Sequence, residues 1–121
     1  MNKFILIITI LVAMAKIANA HPPGEIIAQF DTTNKILKLT VNHQVRDSQK
    51  HYVNKIEIEL NGNRIIEQKS GRQIDNAIQK YLFILPEAKI EDIITIEAYC
   101  NISGKKKLTS QIGQLPKESV E

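Results

Sequence analysis

One cysteine, Cys100, is all that the 121-residue chain contains, and a single thiol cannot close an internal disulfide. The fold must therefore hold by burial and backbone pairing alone. Other absences narrow the chemistry. The five glycines form no phosphate-binding loop, and no serine sits in a nucleophile elbow. Aromatic residues make up 5% of the chain and are not interleaved with basic ones, so the stacked, positively charged surface that nucleic acid needs is missing. Asp75, Glu91 and Asp92 have no spacing that suggests a carboxylate pair for acid/base work. There is no internal repeat, no low-complexity segment and no convincing amphipathic helix. No apolar run is long enough to span a bilayer.

The longest apolar run, Phe4 to Ala15, has another reading. It comes after a short basic start containing Lys3 and precedes Ala18-Asn19-Ala20, a small-x-small cleavage site, and that order is the pattern of a secretory signal peptide. Residues 1–20 are thus expected to be removed after Ala20, leaving His21 as the first residue of a periplasmic or secreted protein. No stable membrane association is expected after cleavage, since no cysteine lies close enough behind the run to take a lipid. Loss of Lys3 and Lys16 lowers the 16 basic residues to 14 against 13 acidic ones, for a net charge of about +1, so charge alone suggests no polyanionic partner.

Beyond residue 20 the chain reads as strands. Ile36 to His43 alternates, with Leu37, Leu39, Val41 and His43 on one face. Val53 to Leu60 puts Ile56, Ile58 and Leu60 inward and Lys55, Glu57 and Glu59 outward. Asn61-Gly62-Asn63 turns the chain into a hairpin with Arg64 to Gln68. Ser70-Gly71 and Asp75-Asn76 bracket a break before Ala77 to Leu85, and Ile93 to Cys100 alternates again with Ala98 and Cys100 in phase. Glu25 to Asp31 and Lys106 to Ile112 supply outer strands. About seven short strands with closely spaced turns predict an all-β, immunoglobulin-like antiparallel β-sandwich over residues 21–115. A polar tail over 116–121, opening at Leu115, is expected beyond it. The run Lys105-Lys106-Lys107 reads as a solvated turn, with anion attraction as the alternative.

His43 and Cys100 each extend an inward-facing series at the end of its strand, which places both at one rim of the sandwich, where loops carry sites. Together with His21 and His51 they are the full stock of soft and borderline metal ligands after residue 20, because Met1 and Met14 both precede that point. The segment Tyr99-Cys100-Asn101-Ile102-Ser103-Gly104 resembles the Cys-Asn-x-His-Gly motif of the superoxide reductase family, the neelaredoxins and the iron-binding domain of desulfoferrodoxins. The stretch from His43 through His51-Tyr52 into the next apolar strand resembles that family's histidine loop, and His21-Pro22-Pro23 its His-x-Pro.

The resemblance implies a mononuclear non-haem iron held by histidines with one axial cysteine thiolate and an open position for superoxide. By position it assigns the thiolate to Cys100 and imidazoles to His21, His43 and His51. It further implies reduction of superoxide to hydrogen peroxide, with an electron donor it does not identify. Ser103 stands where the family has its fourth histidine. Two alternatives remain open. Small exported sandwiches that begin with histidine also resemble periplasmic copper carriers, in which the terminal amine and imidazoles hold copper. The other alternative is a non-catalytic sandwich that has lost the site and keeps Cys100 as a buried apolar residue.

Overall fold

The computed structural model describes residues 21–117. Residues 1–20, with their signal-peptide pattern, and the last four residues of the expected tail lie outside this range. Among the described residues no helix is long and apolar enough to cross a membrane.

Seven strands form in the expected order: β1 (Ile26–Asp31), β2 (Ile36–Asn42), β3 (Val53–Leu60), β4 (Asn63–Lys69), β5 (Ile78–Ile84), β6 (Ile93–Cys100) and β7 (Lys105–Gln111). They make two antiparallel sheets, one of three strands ordered β1-β2-β5 and one of four ordered β4-β3-β6-β7. This is the immunoglobulin-like division, except that β4 joins β3 where the constant-type arrangement would pair it with β5. The alternating apolar positions meet between the sheets. Leu37, Leu39 and Val41 of β2 face Ile56 and Ile58 of β3 and Ile94, Ile96 and Ala98 of β6 within one buried cluster, and burial of that apolar surface is the main favourable term holding the layers together.

Strands β3 and β6 begin and end where the alternation predicts. The other five, the central β2 included, differ by a residue at one end or both. The β3–β4 hairpin is tighter than its expected three-residue turn: Leu60 pairs directly with Asn63, and Asn61 and Gly62 both take positive φ, 50° and 84°, as a two-residue turn of the primed kind requires.

Three expectations need correction. Glu57 faces away from the core as predicted, yet it is buried. Its carboxylate is covered by Lys55 at 3.0 Å, Arg64 at 3.1 Å and the Tyr99 hydroxyl, which donates to it at 3.1 Å. The run Lys105-Lys106-Lys107 is strand, not turn: it opens β7 and pairs with Tyr99, Ala98 and Glu97. Lys105 and Lys107 lie 3.1 and 3.9 Å from Glu97, which commits two of the three charges to a neighbour on the outer face. Leu115 does not open a polar tail. After β7 a short 3-10 turn, Ile112–Gln114, carries Leu115 into the core, and the Pro116 carbonyl accepts a hydrogen bond from Phe30 N–H at 3.3 Å. An apolar side chain at that point gains more from filling the end of the core than from solvent.

Candidate metal centre

Four segments converge on one rim of the sandwich. His43 comes directly after β2 and continues its inward series, His51 lies just before β3, Cys100 is the last residue of β6, and His21 begins the described chain. Local hydrogen bonds explain why the intervening loops bring them together. The Asp47 carbonyl accepts from Lys50 N–H at 3.1 Å and His51 N–H at 2.9 Å, a turn that carries His51 back over the rim. Asn101 then ties this loop to the end of β6. Its carbonyl Oδ1 accepts from Tyr52 N–H at 2.8 Å, its Nδ2 donates to the Lys50 carbonyl at 2.9 Å, and its own N–H donates to the Tyr52 carbonyl at 3.0 Å. The asparagine beside Cys100 is therefore a clamp that sets His51 against Cys100.

Gly104 performs the corresponding task for His21. The glycine has φ of 81°, a conformation side chains disfavour, and a Cβ there would lie 2.7 Å from the Pro22 Cβ. Only glycine lets the His21-Pro22 segment lie down on the β6–β7 loop. The same glycine's carbonyl accepts from Cys100 N–H at 3.0 Å, so the loop that admits His21 is also closed on the cysteine.

The result is a compact donor set. Each of His21, His43 and His51 offers a ring nitrogen, and these nitrogens lie within 4.8 Å of one another. The ring centroids are 4.7 to 5.1 Å apart and the planes are steeply inclined to one another, so the rings converge without stacking. The three histidines are close enough to hold a metal ion. Cys100 joins through His51, whose Nε2 is 3.2 Å from the sulfur. Ile102 N–H is directed at the same sulfur from 3.4 Å. Ser103 is exposed on the loop between β6 and β7 and brings no imidazole.

Burial grades the set. His43 is 1% exposed, His51 is half-buried and His21 is exposed, so the cluster is open to solvent on the side of His21. Desolvation, with the neighbouring His43 and His21, holds His51 below the ordinary histidine range. A neutral imidazole is the form that ligates a metal.

The four residues expected from the sequence are all here. Gln73 was not expected. This side chain is fully buried and touches His43 directly, although it lies in the irregular stretch between β4 and β5. Its only sequence signal is its position between the turn formers Gly71 and Asp75, which does not point at a site. Comparisons with models of known families, with curated proteins and with solved structures found no match to this chain.

Proposed function

We propose that the protein is an exported iron-binding protein that reduces superoxide by one electron. The observation that carries this reading is the convergence of His21, His43 and His51 with the Cys100 sulfur beside them. Imidazole with thiolate suits iron without imposing a tetrahedral site of the zinc kind. A ferrous ion held there would supply the electron that superoxide accepts, while the thiolate raises its readiness to give it. The chain's own contributions are binding and access. His43 and His51 present ring nitrogens, Ile102 N–H is directed at the sulfur, and the exposed side at His21 admits a small anion from solvent. Superoxide takes up one electron and two protons to leave as hydrogen peroxide. The protons would come from water at that open side.

The test is to isolate the processed protein from the exported fraction, determine its bound metal and record visible spectra of the oxidised and reduced forms. An oxidised-state charge-transfer band that is absent in Cys100→Ala, with iron bound one to one, is the expected result. Stoichiometric copper without iron would overturn it.

Copper retention is the second reading, and one distance favours it. The His21 carbonyl oxygen lies 3.3 Å from His43 Nε2, so the backbone of His21, and not only its ring, reaches the cluster. If cleavage after Ala20 frees the α-amine of His21, that nitrogen can take the place a fourth imidazole would fill. Adding one residue before His21 should then lower copper affinity sharply, read by competition with a chromogenic chelator. Unchanged affinity would exclude the amine.

A further inference from the structure

The hydrogen bonds of Gln73 are complete, and their directions are decided by the backbone. Its Oε1 accepts from Val53 N–H at 3.0 Å and from His43 Nδ1. Its Nε2 donates to the carbonyls of His43 and Asp75, both at 3.1 Å. An amide N–H can only donate and a carbonyl can only accept, so the oxygen and nitrogen ends of this side chain cannot be exchanged. His43 Nδ1 must therefore be the protonated nitrogen. A neutral His43 then carries its lone pair on Nε2, on the side of His21.

The loop that delivers Gln73 is itself held from both sides. Gln79 of β5 donates from Nε2 to the Arg72 carbonyl at 3.0 Å and accepts at Oε1 from Ile74 N–H at 2.9 Å. One buried glutamine thus grips the residues before and after the other. Two bonds from Gln73, to Val53 N–H and to the His43 carbonyl, tie the two sheets together at the rim.

We infer that Gln73 is a positioning residue for the metal centre: it fixes His43 as the Nδ1–H tautomer with Nε2 as the ligating atom, and it orients that ring toward His21 and His51. The inference rests on the reading of the histidines as metal ligands, but it is independent of which metal binds and of any activity toward superoxide. Partners of this kind, on the nitrogen away from the metal, set ring orientation and ligand basicity. The His21 carbonyl, 3.3 Å from His43 Nε2, can accept only if that nitrogen also carries a proton, so metal binding at Nε2 would displace that contact.

Two measurements test this on the full processed chain. Long-range proton–nitrogen NMR of metal-free protein at about pH 8, above the ordinary histidine range, should show His43 with its proton on Nδ1. Titration with Co2+ should then show affinity falling about 10- to 100-fold in Gln73→Leu. Gln73→Glu, which retains both acceptor contacts, should keep the Nδ1–H form and bind Co2+ more tightly than Gln73→Leu. A wild-type His43 protonated on Nε2, or exchanging between tautomers, would overturn the inference without any variant having to fold. Equal Co2+ affinity in folded Gln73→Leu and wild type would overturn it also. Failure of iron binding with the tautomer intact would count against the proposed function and leave the role of Gln73 standing.

Discussion

Tyr99 and Cys100 are neighbours on β6, yet they belong to two polar clusters of opposite character on the two faces of one strand. On the outer face the single Tyr99 hydroxyl proton is shared between Glu97 at 2.7 Å and Glu57 at 3.1 Å. Lys55, Arg64, Lys105 and Lys107 surround these carboxylates, and Lys55 Nζ also sits 4.2 Å from the centre of the Tyr99 ring. Every negative charge there has a positive neighbour. The inner rim instead gathers electron-pair donors, three imidazoles and a sulfur, whose nearest polar contacts are amides, carbonyls and one another. A crowd of ionisable groups is therefore not in itself a site. The outer cluster of paired charges fastens the sheet, and the inner one places three imidazoles close enough to hold a metal ion.

The largest expected effect separates the two clusters directly. His51→Ala removes a donor that touches both the other histidines and Cys100, and should weaken Co2+ binding by more than about 100-fold, beyond the loss typical of an outer partner. Tyr99→Phe should leave Co2+ affinity unchanged and cost about 1 kcal/mol of stability, the usual worth of a hydrogen bond. Metal titration and urea denaturation of both variants check the pair. If Tyr99→Phe lost metal as well, the two faces would be coupled and the contrast would fail.

How far this contrast was legible beforehand depended on whether a residue's role is decided along its own strand. The inward phase of His43 and Cys100 was readable because alternation fixes which face a side chain meets, and β3 and β6, central in their sheet, end where their patterns end. Edge strands carry weaker alternation, and β1, β4 and β7 are bounded by what they pair with, as Asn63 is by Leu60. The burial of Glu57 was not readable from β3, because Arg64 of β4 and Tyr99 of β6 cause it. Gln73 was hidden most completely. Its partners His43 and Val53 stand 30 and 20 positions away, and a buried, fully bonded amide has no periodic signature.

Gly104→Ala should produce a smaller effect that bears on the rim alone. The positive φ and the close approach of Pro22 make any side chain strained there, at a cost of about 1–3 kcal/mol. Relief of that strain moves the His21-Pro22 segment off the β6–β7 loop, so Co2+ affinity should also fall, though less than in His51→Ala, because His43 and His51 keep their own supports. Denaturation and metal titration of the one variant read both effects. A loss of stability with affinity intact would show that His21 is not held by this contact.

Acid should expose the outer cluster by a smaller margin still. Glu57 is held below the ordinary glutamate value of 4.5, first by its bond to Lys55 and then by Tyr99 and Arg64, and Glu97 is held low by Tyr99 and then Lys105. With folded values below unfolded ones, the unfolded chain takes up protons first as pH falls. The stabilisation is therefore complete above about pH 4.5 and is lost as pH drops through the folded values. Asp31, Asp75 and Asp92, held low chiefly by hydrogen bonds in turns, act in the same direction. His51, also held low, loses its share earlier, as pH falls below the ordinary histidine value of 6.5. These contributions are common to wild type and to a Glu57→Gln, Glu97→Gln double variant, so the difference between the two isolates the outer cluster. Urea midpoints of the metal-free proteins from about pH 6 to pH 3 should fall less steeply in the double variant below about pH 4.5. Parallel curves would assign the acid lability to the turn aspartates and leave the outer cluster without a measurable electrostatic role.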